Sequence, residues 1–399
     1  MKVYILNTGP FPYGMASTAR IKCYAQALQN ANIDCEIDVF ERYANYGKDK
    51  KNENIKISNE GIKYWYAGHR LYGSNNKIFR IYNNWLDKRS MLKYLKQNLK
   101  KGDFVLLYFS DVRFSLKVIN LVHKKQSFVI KELNEIPGKG SPSKKNAIIK
   151  QKTENHIFNK FDGIICISDA LMEYCKQYIS QQCKLIKIPI LVDFDKYAIP
   201  DNQRISSPKY IFHSGSLIER KDGILGMIEA FGKTLSKLPY PIIFYCTGNY
   251  ENTPHHREIE ALIHKYNLHN NLIFTGYLTE EELKEKLSYA SLVIINKLVS
   301  TQNTYCFATK LAEYTAAAKP VIITKVGEAV NWLKNKISAY IIEPGDTDLL
   351  ADTIVHAFQN EEERIKIGKN GKEVCEMYFN AKCYSNILEH YLKSISSNN

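Results

Sequence analysis

The sequence lacks the features that mark membrane-spanning and disulfide-bonded chains. No uninterrupted apolar run approaches the roughly 18 to 20 residues that cross a bilayer. The nine cysteines are odd in number, scattered, and nowhere form a C-x-x-C pair, which favours reduced thiols over a disulfide framework or a zinc site. The opening MKVYILNT has neither the basic region nor the cleavage site of a signal peptide. We therefore expect a cytoplasmic protein without a bound metal.

Two further absences exclude common functions. A G-x-G-x-x-G fingerprint between a strand and a helix is missing, which argues against a dinucleotide cofactor. Neither a basic recognition helix nor an RNP-like aromatic strand occurs, which argues against nucleic acid as a partner.

The chain has a length and a pattern typical of two α/β domains. At 399 residues it is too long for one ordinary core, and short β-branched runs alternate with longer amphipathic segments. We predict an N-terminal domain over 1–200, a C-terminal domain over 201–382, and a last helix over 383–399 that packs back on the first domain. The predicted strands are Val3–Asn7, Cys35–Phe40, Phe104–Phe109, Phe128–Glu132, Gly163–Ile167, Leu185–Ile188, Tyr210–Ser214, Ile242–Thr247, Leu272–Thr275, Leu292–Asn296, Val321–Thr324 and Ala339–Ile342.

Positive charge is concentrated in the first half. Residues 1–200 carry 33 Lys and Arg against 18 Asp and Glu, whereas the remainder carries 22 against 23. The positive potential of such a surface attracts anions, so one interpretation is that the charge serves to bind an anionic membrane surface or an anionic acceptor. The alternative is a solvated basic face with no binding role. The stretch Lys77–Lys101 combines Trp85, Leu92 and Leu95 with many cations. It suits either a bilayer surface or a core-facing amphipathic helix.

Two glycine-containing turns join a strand to a helix. In the first, Gly9 and Gly14 precede a helix whose N-cap region we assign to Ser17 and Thr18. Glycine there lets the backbone approach a phosphate, although a turn with no ligand remains the alternative.

The second turn is His213–Ile224, which places Gly215 and Ser216 after a strand and then the cations Arg220 and Lys221. A lysine at this position can bind a diphosphate and stabilise the charge that develops on it as a glycosidic bond breaks. An ordinary surface pair of cations is the alternative.

A third segment, Thr304–Thr324, predicts a helix that starts near Thr309. Glu313 then lies one turn into the helix, where its carboxylate can accept two hydrogen bonds from a ribose diol. The residues Thr309, Lys310 and Leu311 open the first turn and meet phosphate through the side chains and free amides there. A helix with surface Glu and Lys charges is the alternative.

The second half resembles the retaining glycosyltransferases of family 4, which have the GT-B architecture of two Rossmann-like domains facing across a cleft. The matching stretches are GSLIERKDG at 215–223, FTGYL at 274–278, FATKLAEYTAAAKPVI at 307–322 and IIEPGD at 341–346. The first half is similar more loosely, through PYGMASTARI at 12–21, FDGIICISDAL at 161–171 and IPILVD at 188–193.

The resemblance implies that Lys221 binds the donor diphosphate, that Glu313 holds the ribose and that Gly14 supplies a backbone contact from the other domain. Tyr277 falls where members of the family commonly touch the base. The chain departs from the family twice. Ser216 stands where arginine is frequent, so Arg220 is expected to supply part of the charge, and Tyr305 replaces the first glutamate of the E-x7-E motif.

No residue stands out as a nucleophile, and the family generally needs none. We nominate Glu135 as the catalytic candidate of the first domain, beside Lys221 and Glu313 in the second, with Glu132 as the next choice. An ordinary polar loop at 131–137 is the alternative. We interpret His213, on an apolar strand, as a packed core residue.

The resemblance implies a hexosyltransferase-type enzyme that moves a sugar from a nucleotide-diphosphate donor to a saccharide or lipid-linked acceptor, with retention, in bacterial surface polysaccharide or glycoconjugate assembly. The nucleotide sugar is then a substrate, and no cofactor is expected. The alternatives are a sugar-nucleotide 2-epimerase and a non-catalytic GT-B binding partner. The location expected is cytoplasmic, with a peripheral position at the inner membrane face as a further expectation.

Overall fold

The computed structural model describes residues 1–39, 56–68, 76–138, 143–197 and 207–397. The chain forms two compact units. The first comprises Met1–Leu191 together with Ala381–Asn399, and the second comprises Val192–Asn380. The boundary expected between residues 200 and 201 lies outside the described residues.

The first unit contains a seven-stranded sheet in which every strand is parallel to its neighbours, in the order β3-β2-β1-β4-β5-β6-β7. Its central strands are almost continuous apolar runs, as expected of a parallel sheet that is covered on both faces. The strands are β1 Lys2–Asn7, β2 Asp34–Val39, β3 Lys63–Tyr66, β4 Phe104–Tyr108, β5 Phe128–Leu133, β6 Gly163–Cys166 and β7 Lys184–Lys187.

Helices follow β1, β3, β4, β5 and β6 and provide the crossovers that parallel pairing requires. They are α1 Ala16–Asn30, α2 Lys77–Asn98, α3 Val112–Lys124, α4 Lys144–His156 and α5 Asp169–Lys176, with a 3-10 turn at Phe158–Lys160. The side chains of Asn76, Asp111, Ser143 and Ser168 accept hydrogen bonds from amides of the first turns of α2, α3, α4 and α5. These caps satisfy amides that a helix leaves without an internal partner.

The second unit contains a six-stranded parallel sheet in the order β10-β9-β8-β11-β12-β13. The strands are β8 Tyr210–His213, β9 Ile243–Cys246, β10 Leu272–Phe274, β11 Leu292–Ile295, β12 Val321–Thr324 and β13 Tyr340–Ile342. The helices are α6 Phe194–Tyr197, α7 Glu219–Asp222, α8 Ile224–Leu235, α9 His256–Tyr266, α10 Glu280–Tyr289, α11 Thr301–Tyr305, α12 Lys310–Ala316, α13 Thr347–Gln359 and α14 Glu361–Tyr378, with 3-10 turns at Tyr250–Asn252 and Glu328–Trp332.

The C-terminal segment belongs to the first unit. A 3-10 turn at Ala381–Tyr384 leads into α15, Ser385–Ser396. Leu388, Leu392 and Ile395 are buried in the hydrophobic core that the first sheet shares with α1, and the Tyr391 hydroxyl donates to the carbonyl of Lys184, 3.0 Å away. The helix that we predict over 383–399 therefore completes the core of the first unit.

The predicted fold class is confirmed: each unit is a Rossmann-like parallel α/β sheet. The twelve predicted strands all occur, with ends that differ by at most one residue. The strand β3 was not predicted, because its sequence, KYWY, contains no β-branched residue and follows a motif-poor stretch. None of the helices in the described part of the chain is long and apolar enough to cross a membrane.

Candidate functional site

The order of the strands indicates where a ligand binds in the second unit. The strand order reverses between β8 and β11, which are neighbours in the sheet although two strands, β9 and β10, lie between them in the sequence. In open α/β sheets, ligands bind beyond the carboxyl ends of the strands at such a switch point. The loops that follow β8 and β11 are therefore the expected location of a ligand site.

The turn after β8 is held by side chains of the same unit. The amide of Gly215 donates to Oγ1 of Thr247, 3.2 Å away. The amide and the hydroxyl of Ser216 both donate to Oδ2 of Asp222, at 2.7 and 2.6 Å. The two residues that we predict to contact the donor thus already have their amides engaged. Direct contact of a phosphate with either amide requires that Thr247 or Asp222 release it.

Asp222 forms a largely buried ion pair with a lysine from the loop after β11. The Lys297 ammonium donates to Oδ1 of Asp222 at 2.9 Å and to the carbonyl of Lys221 at 2.7 Å. Burial alone would raise the pKa of Asp222, but the charge of Lys297 and the hydrogen bonds from Ser216 hold it well below its usual range. Asp222 is therefore a carboxylate that fixes the shape of the turn.

His213, the last residue of β8, lies directly beneath this turn and is buried. Its Nδ1 is 3.1 Å from the carbonyl of Ile294, which can only accept, so Nδ1 carries the proton. Burial lowers the pKa of His213. A Cβ atom on Gly215 would lie 2.2 Å from Nε2 of His213, so this position has room only for glycine. The interpretation of His213 as a packed core residue agrees with this environment.

The cations Arg220 and Lys221 lie within the short helix α7 and directly ahead of α8, which begins at Ile224, so they precede a helix as the sequence pattern predicts. The exposed Arg220 guanidinium donates to Oε1 of Gln302, 3.0 Å away. The side chain of Asn303 donates to the carbonyl of Arg220 at 3.2 Å, and Lys297 holds the next carbonyl. The Lys221 ammonium, half-buried, forms no ion pair with any residue that the structure describes. Like Arg220, whose partner Gln302 is neutral, it is available to an anion at this switch point.

Helix α12 is tied to the same turn. The buried hydroxyl of Tyr314 accepts from the amide of Ser214 at 2.8 Å and lies 3.0 Å from its hydroxyl. The neighbouring Glu313 is half-buried and accepts from the Lys310 ammonium through both oxygens, at 3.2 and 2.9 Å. The start of α12 thus places a carboxylate and a cation side by side at the end of the sheet that carries the Gly215 turn.

The remaining predicted residues of this segment have different environments. Thr309 precedes α12 and makes no side-chain cap. The Leu311 side chain is buried in the core, and its amide donates to the carbonyl of Ala308 at 3.0 Å. The prediction that the Leu311 amide is free for phosphate is therefore wrong. Tyr305 is half-buried at the end of α11.

Tyr277 lies on a turn that two strands hold in place. The amide of Gly248, after β9, donates to the carbonyl of Gly276 at 2.7 Å, and the reverse hydrogen bond measures 3.2 Å. The Tyr277 side chain that follows is 66% exposed. It is accessible to a planar ligand at the carboxyl end of the sheet.

In the first unit, the loop between β1 and α1 carries the predicted Gly14. Thr18 is in the first turn of α1, and its hydroxyl donates to the carbonyl of Pro10 at 2.7 Å. A Cβ on Gly14 would lie 2.0 Å from that hydroxyl, so only glycine fits. The helix begins at Ala16 with Met15 at the cap position. The assignment of the cap to Ser17 and Thr18 is therefore wrong, because Thr18 folds back onto the loop instead.

The two candidate glutamates of the first unit, Glu132 and Glu135, have different environments. Glu135 lies beyond the end of β5 and is half-buried. Glu132, our second choice, is buried at the end of β5, where it accepts from Nε of Arg20 at 2.6 Å and from the Tyr24 hydroxyl at 2.8 Å. The same guanidinium donates to the carbonyls of Pro189 and Ile188. Glu132 is therefore a structural anchor rather than a group poised for catalysis.

The structure brings Gly215, Ser216, Arg220, Lys221 and Glu313 to the carboxyl end of the second sheet, with Gly14 and Glu135 in the first unit. Four residues that the sequence did not single out hold this arrangement together, namely Asp222, Lys297, Asn303 and Tyr314. The sequence could have indicated Lys297, because it is a charged residue that directly follows the predicted strand Leu292–Asn296. Asp222 lies in the matching stretch 215–223, but the resemblance assigned it no function.

Several known proteins are similar to this chain. Residues 195–374 match the family of Glycosyl transferases group 1. The chain is 24% identical over 326 residues to the capsular polysaccharide biosynthesis glycosyltransferase CapM of Staphylococcus aureus, which covers 72% of this chain and 82% of CapM. It is 25% identical over 132 residues to the O-antigen chain mannosyltransferase C of Escherichia coli, which covers 32% of this chain and 35% of that protein.

Solved structures show the same fold over the whole chain. Sucrose-phosphate synthase of Thermosynechococcus elongatus has a TM-score of 0.74 at 14% identity and covers 100% of both chains. HepE of Anabaena, in complex with UDP and glucose, has a TM-score of 0.72 at 15% identity, with 99% of this chain and 100% of HepE covered. A TarM variant of Staphylococcus aureus, in complex with UDP, has a TM-score of 0.71 at 14% identity, with 99% and 100% covered. Residues 195–374 thus form a Glycosyl transferases group 1 domain within a chain that has the GT-B fold and is similar to known glycosyltransferases.

Proposed function

We propose that the chain is a hexosyltransferase that moves a sugar from a nucleoside diphosphate donor to a saccharide or lipid-linked acceptor, with retention of anomeric configuration, in bacterial surface polysaccharide assembly. The names of the relatives support the biological setting, since one acts in capsular polysaccharide biosynthesis and another on O-antigen chains. Neighbours bound to UDP support a nucleotide sugar as the donor.

The observation that carries the proposal is the Lys221 ammonium. It is half-buried beside the switch point and has no ion pair among the described residues, whereas the adjacent Asp222 is already neutralised by Lys297. Breaking a glycosidic bond to a diphosphate leaves negative charge on the leaving phosphate. A fixed cation stabilises that charge more in the transition state than in the bound donor, which is how it accelerates the reaction.

Glu313 is proposed to hold the ribose. Its two oxygens accept from Lys310 in the present structure, and a ribose diol offers two donors in their place. On donor binding, Lys310 is then released towards the phosphates, together with Thr309. The residues Gly215, Ser216 and Arg220 complete the diphosphate site, and the exposed Tyr277 is proposed to stack on the base.

Gly14 and Glu135 are proposed to act from the first unit. The backbone of Gly14 is proposed to contact the donor, as the resemblance implies, while the absence of a Cβ there makes room for the side chain of Thr18. Glu135 is proposed to supply a carboxylate just beyond the end of β5. Tyr305, in place of a family glutamate, is proposed to contact the donor sugar through its hydroxyl. The reaction is proposed to proceed at one face of an oxocarbenium-like donor, without a protein nucleophile, a metal or a cofactor.

The acceptor is proposed to be anionic or anchored at an anionic bilayer, with the protein in the cytoplasm and peripheral at the inner membrane face. The excess of positive charge in residues 1–200, 33 cations against 18 carboxylates, supports this part of the proposal. Long-range attraction of an anionic acceptor raises the rate of encounter and falls with ionic strength.

The experiment is an incubation of the purified chain with UDP-, GDP-, ADP- and TDP-sugars, with analysis of the products. Transfer or slow hydrolysis of one donor supports the glycosyltransferase, and the anomeric coupling constant of the product tests retention. Formation of a C2 epimer would instead identify a sugar-nucleotide 2-epimerase. Binding that raises the melting temperature without any turnover would identify a non-catalytic partner.

A further inference from the structure

Helix α2 exposes an unusually apolar surface for a protein in water. Six large apolar side chains in its first half are more than one-third exposed, including Ile78 at 77%, Ile81 at 62% and Trp85 at 51%. The other three are Phe79, Tyr82 and Leu86. Single exposed apolar side chains are ordinary, but a contiguous patch of this kind marks a surface that binds a partner.

These side chains face away from the core. The buried residues of α2 are Asp87, Met91 and Leu95, spaced four apart, and they define the inward-facing stripe of the helix. At 100° per residue, five of the six exposed side chains lie within about 60° of the direction opposite to this stripe, and Ile81 lies on its flank, about 80° from the centre of the stripe. The outward face of α2, defined here as these six residues with Arg89, Lys93 and Lys96, is therefore not a part of the hydrophobic core. Leu95, which the sequence suggested for a bilayer surface, belongs to the core side instead.

The charges on α2 indicate which kind of partner the outward face binds. Arg89, Lys93 and Lys96 are exposed and continue the outward face towards the end of the helix. The guanidinium of Arg89 lies 5.4 Å from the centre of the Trp85 ring. The only acidic residue of the helix, Asp87, is buried on the core side. The outward face thus combines apolar and aromatic groups with cations that no carboxylate of the helix offsets.

We infer that the outward face of α2 binds an anionic lipid surface, with its apolar first half at the boundary between headgroups and acyl chains and its cations on the headgroups. Tyr and Trp favour this boundary because one end of each is apolar and the other polar. The helix lies along the surface rather than across it, because it is not apolar enough to span a bilayer. A second copy of the chain would bring a second set of the same uncompensated cations to the contact.

The inference deepens the proposed function, because a lipid-linked acceptor would be presented at the same surface, but lipid binding itself needs no donor. The test is co-sedimentation of the full-length chain with vesicles of phosphatidylcholine alone or with added phosphatidylglycerol, at two salt concentrations. We expect binding to the anionic vesicles that weakens by about tenfold or more at the higher salt, and little binding to the neutral ones.

Two sets of variants assign the binding to this face. Ile81→Glu with Trp85→Glu should lower the partition coefficient by about tenfold or more, because charged side chains replace buried apolar area. Changing Arg89, Lys93 and Lys96 to Gln should weaken binding to anionic vesicles and reduce its salt dependence. The matched controls are Met377→Glu, an exposed apolar residue of α14, and the changes of Lys366, Lys369 and Lys372 to Gln on the same helix.

Equal loss in the control variants, unchanged binding in the α2 variants, or no preference for anionic vesicles would each overturn the inference. So would a concentration-dependent dimer of the wild type that the α2 variants abolish, since a second copy would then occupy the face. Hydrolysis of the donor, or its transfer to a water-soluble acceptor, should be unchanged in the α2 variants. A chain that binds vesicles but uses no donor would contradict the proposed function alone.

Discussion

Replacing Lys297 with methionine should destabilise the second unit through the carboxylate that it leaves behind. In the wild type, Lys297 and Asp222 keep 22% and 11% of their side-chain exposure. Removing one partner of a fully buried pair costs roughly 3 to 5 kcal/mol, so we expect about 2 to 3 kcal/mol for this partly exposed one. For a unit of this size, that loss lowers the melting temperature by about 5 to 10 °C.

The loss should depend on pH in a defined direction. The pKa of Asp222 is depressed in the folded wild type, so its stabilising contribution is present above the unfolded value of about 4 and is lost as pH falls through the folded value. In Lys297→Met, burial without a cation raises the pKa of Asp222. The penalty then applies above that raised pKa and fades as pH falls. The difference in melting temperature should be larger at pH 7 than at pH 5.

The assay is thermal unfolding of the wild type, Lys297→Met, Asp222→Asn and the double variant at both pH values. The double variant should recover part of the loss, because the buried charge has been removed together with its partner. Lys209→Met is the matched control, since Lys209 pairs with Glu361 at the opposite end of β8, and we expect less than about 1 kcal/mol from it. The reasoning is refuted if Lys297→Met melts like the wild type, or if Asp222→Asn rescues nothing.

Three further predictions follow from other contacts. Gly215→Ala should weaken binding of the donor by about tenfold or more, since its Cβ would lie 2.2 Å from Nε2 of His213 and small misplacements of a site are costly; calorimetric titration with nucleoside diphosphates checks this. Arg20→Met should lower the stability of the first unit by about 3 to 5 kcal/mol, because the buried Glu132 loses its cation, and urea unfolding measures it. Burial lowers the pKa of Lys131 to about 8. The free energy of unfolding of the wild type should therefore increase relative to that of Lys131→Met as pH rises from about 8 towards 10.5. If urea unfolding shows the same difference between the two proteins across that range, the prediction is contradicted.

The fold could be predicted because it depends on local patterns. Apolar runs such as Leu292–Ile295 are typical of a buried parallel strand, and their alternation with amphipathic segments indicates the α/β class. The strand β3 was missed because KYWY contains no β-branched residue, unlike the other short strands. Its pairing with β2 is a tertiary contact that no window along the chain records.

The site could be predicted in outline but not in its electrostatics. The glycine turn, Lys221 and Glu313 follow from spacing and from the resemblance. The pair of Asp222 and Lys297 joins residues that are 75 positions apart, and Arg20 and Glu132 are 112 positions apart. Such pairs depend on which strands are neighbours in the sheet. The sequence alone does not give that order.

The central claim is that Lys221 stabilises the diphosphate of a sugar nucleotide, and single-turnover kinetics of Lys221→Ala tests it most directly. With the donor that the wild type uses, we expect transfer or hydrolysis to fall by about two orders of magnitude, because a fixed group that stabilises the leaving charge contributes roughly 3 kcal/mol to the barrier. Lys265→Ala, an exposed lysine at the end of α9 that leads into β10, is the matched control and should react like the wild type. Near-native rates in a folded Lys221→Ala variant would contradict the account.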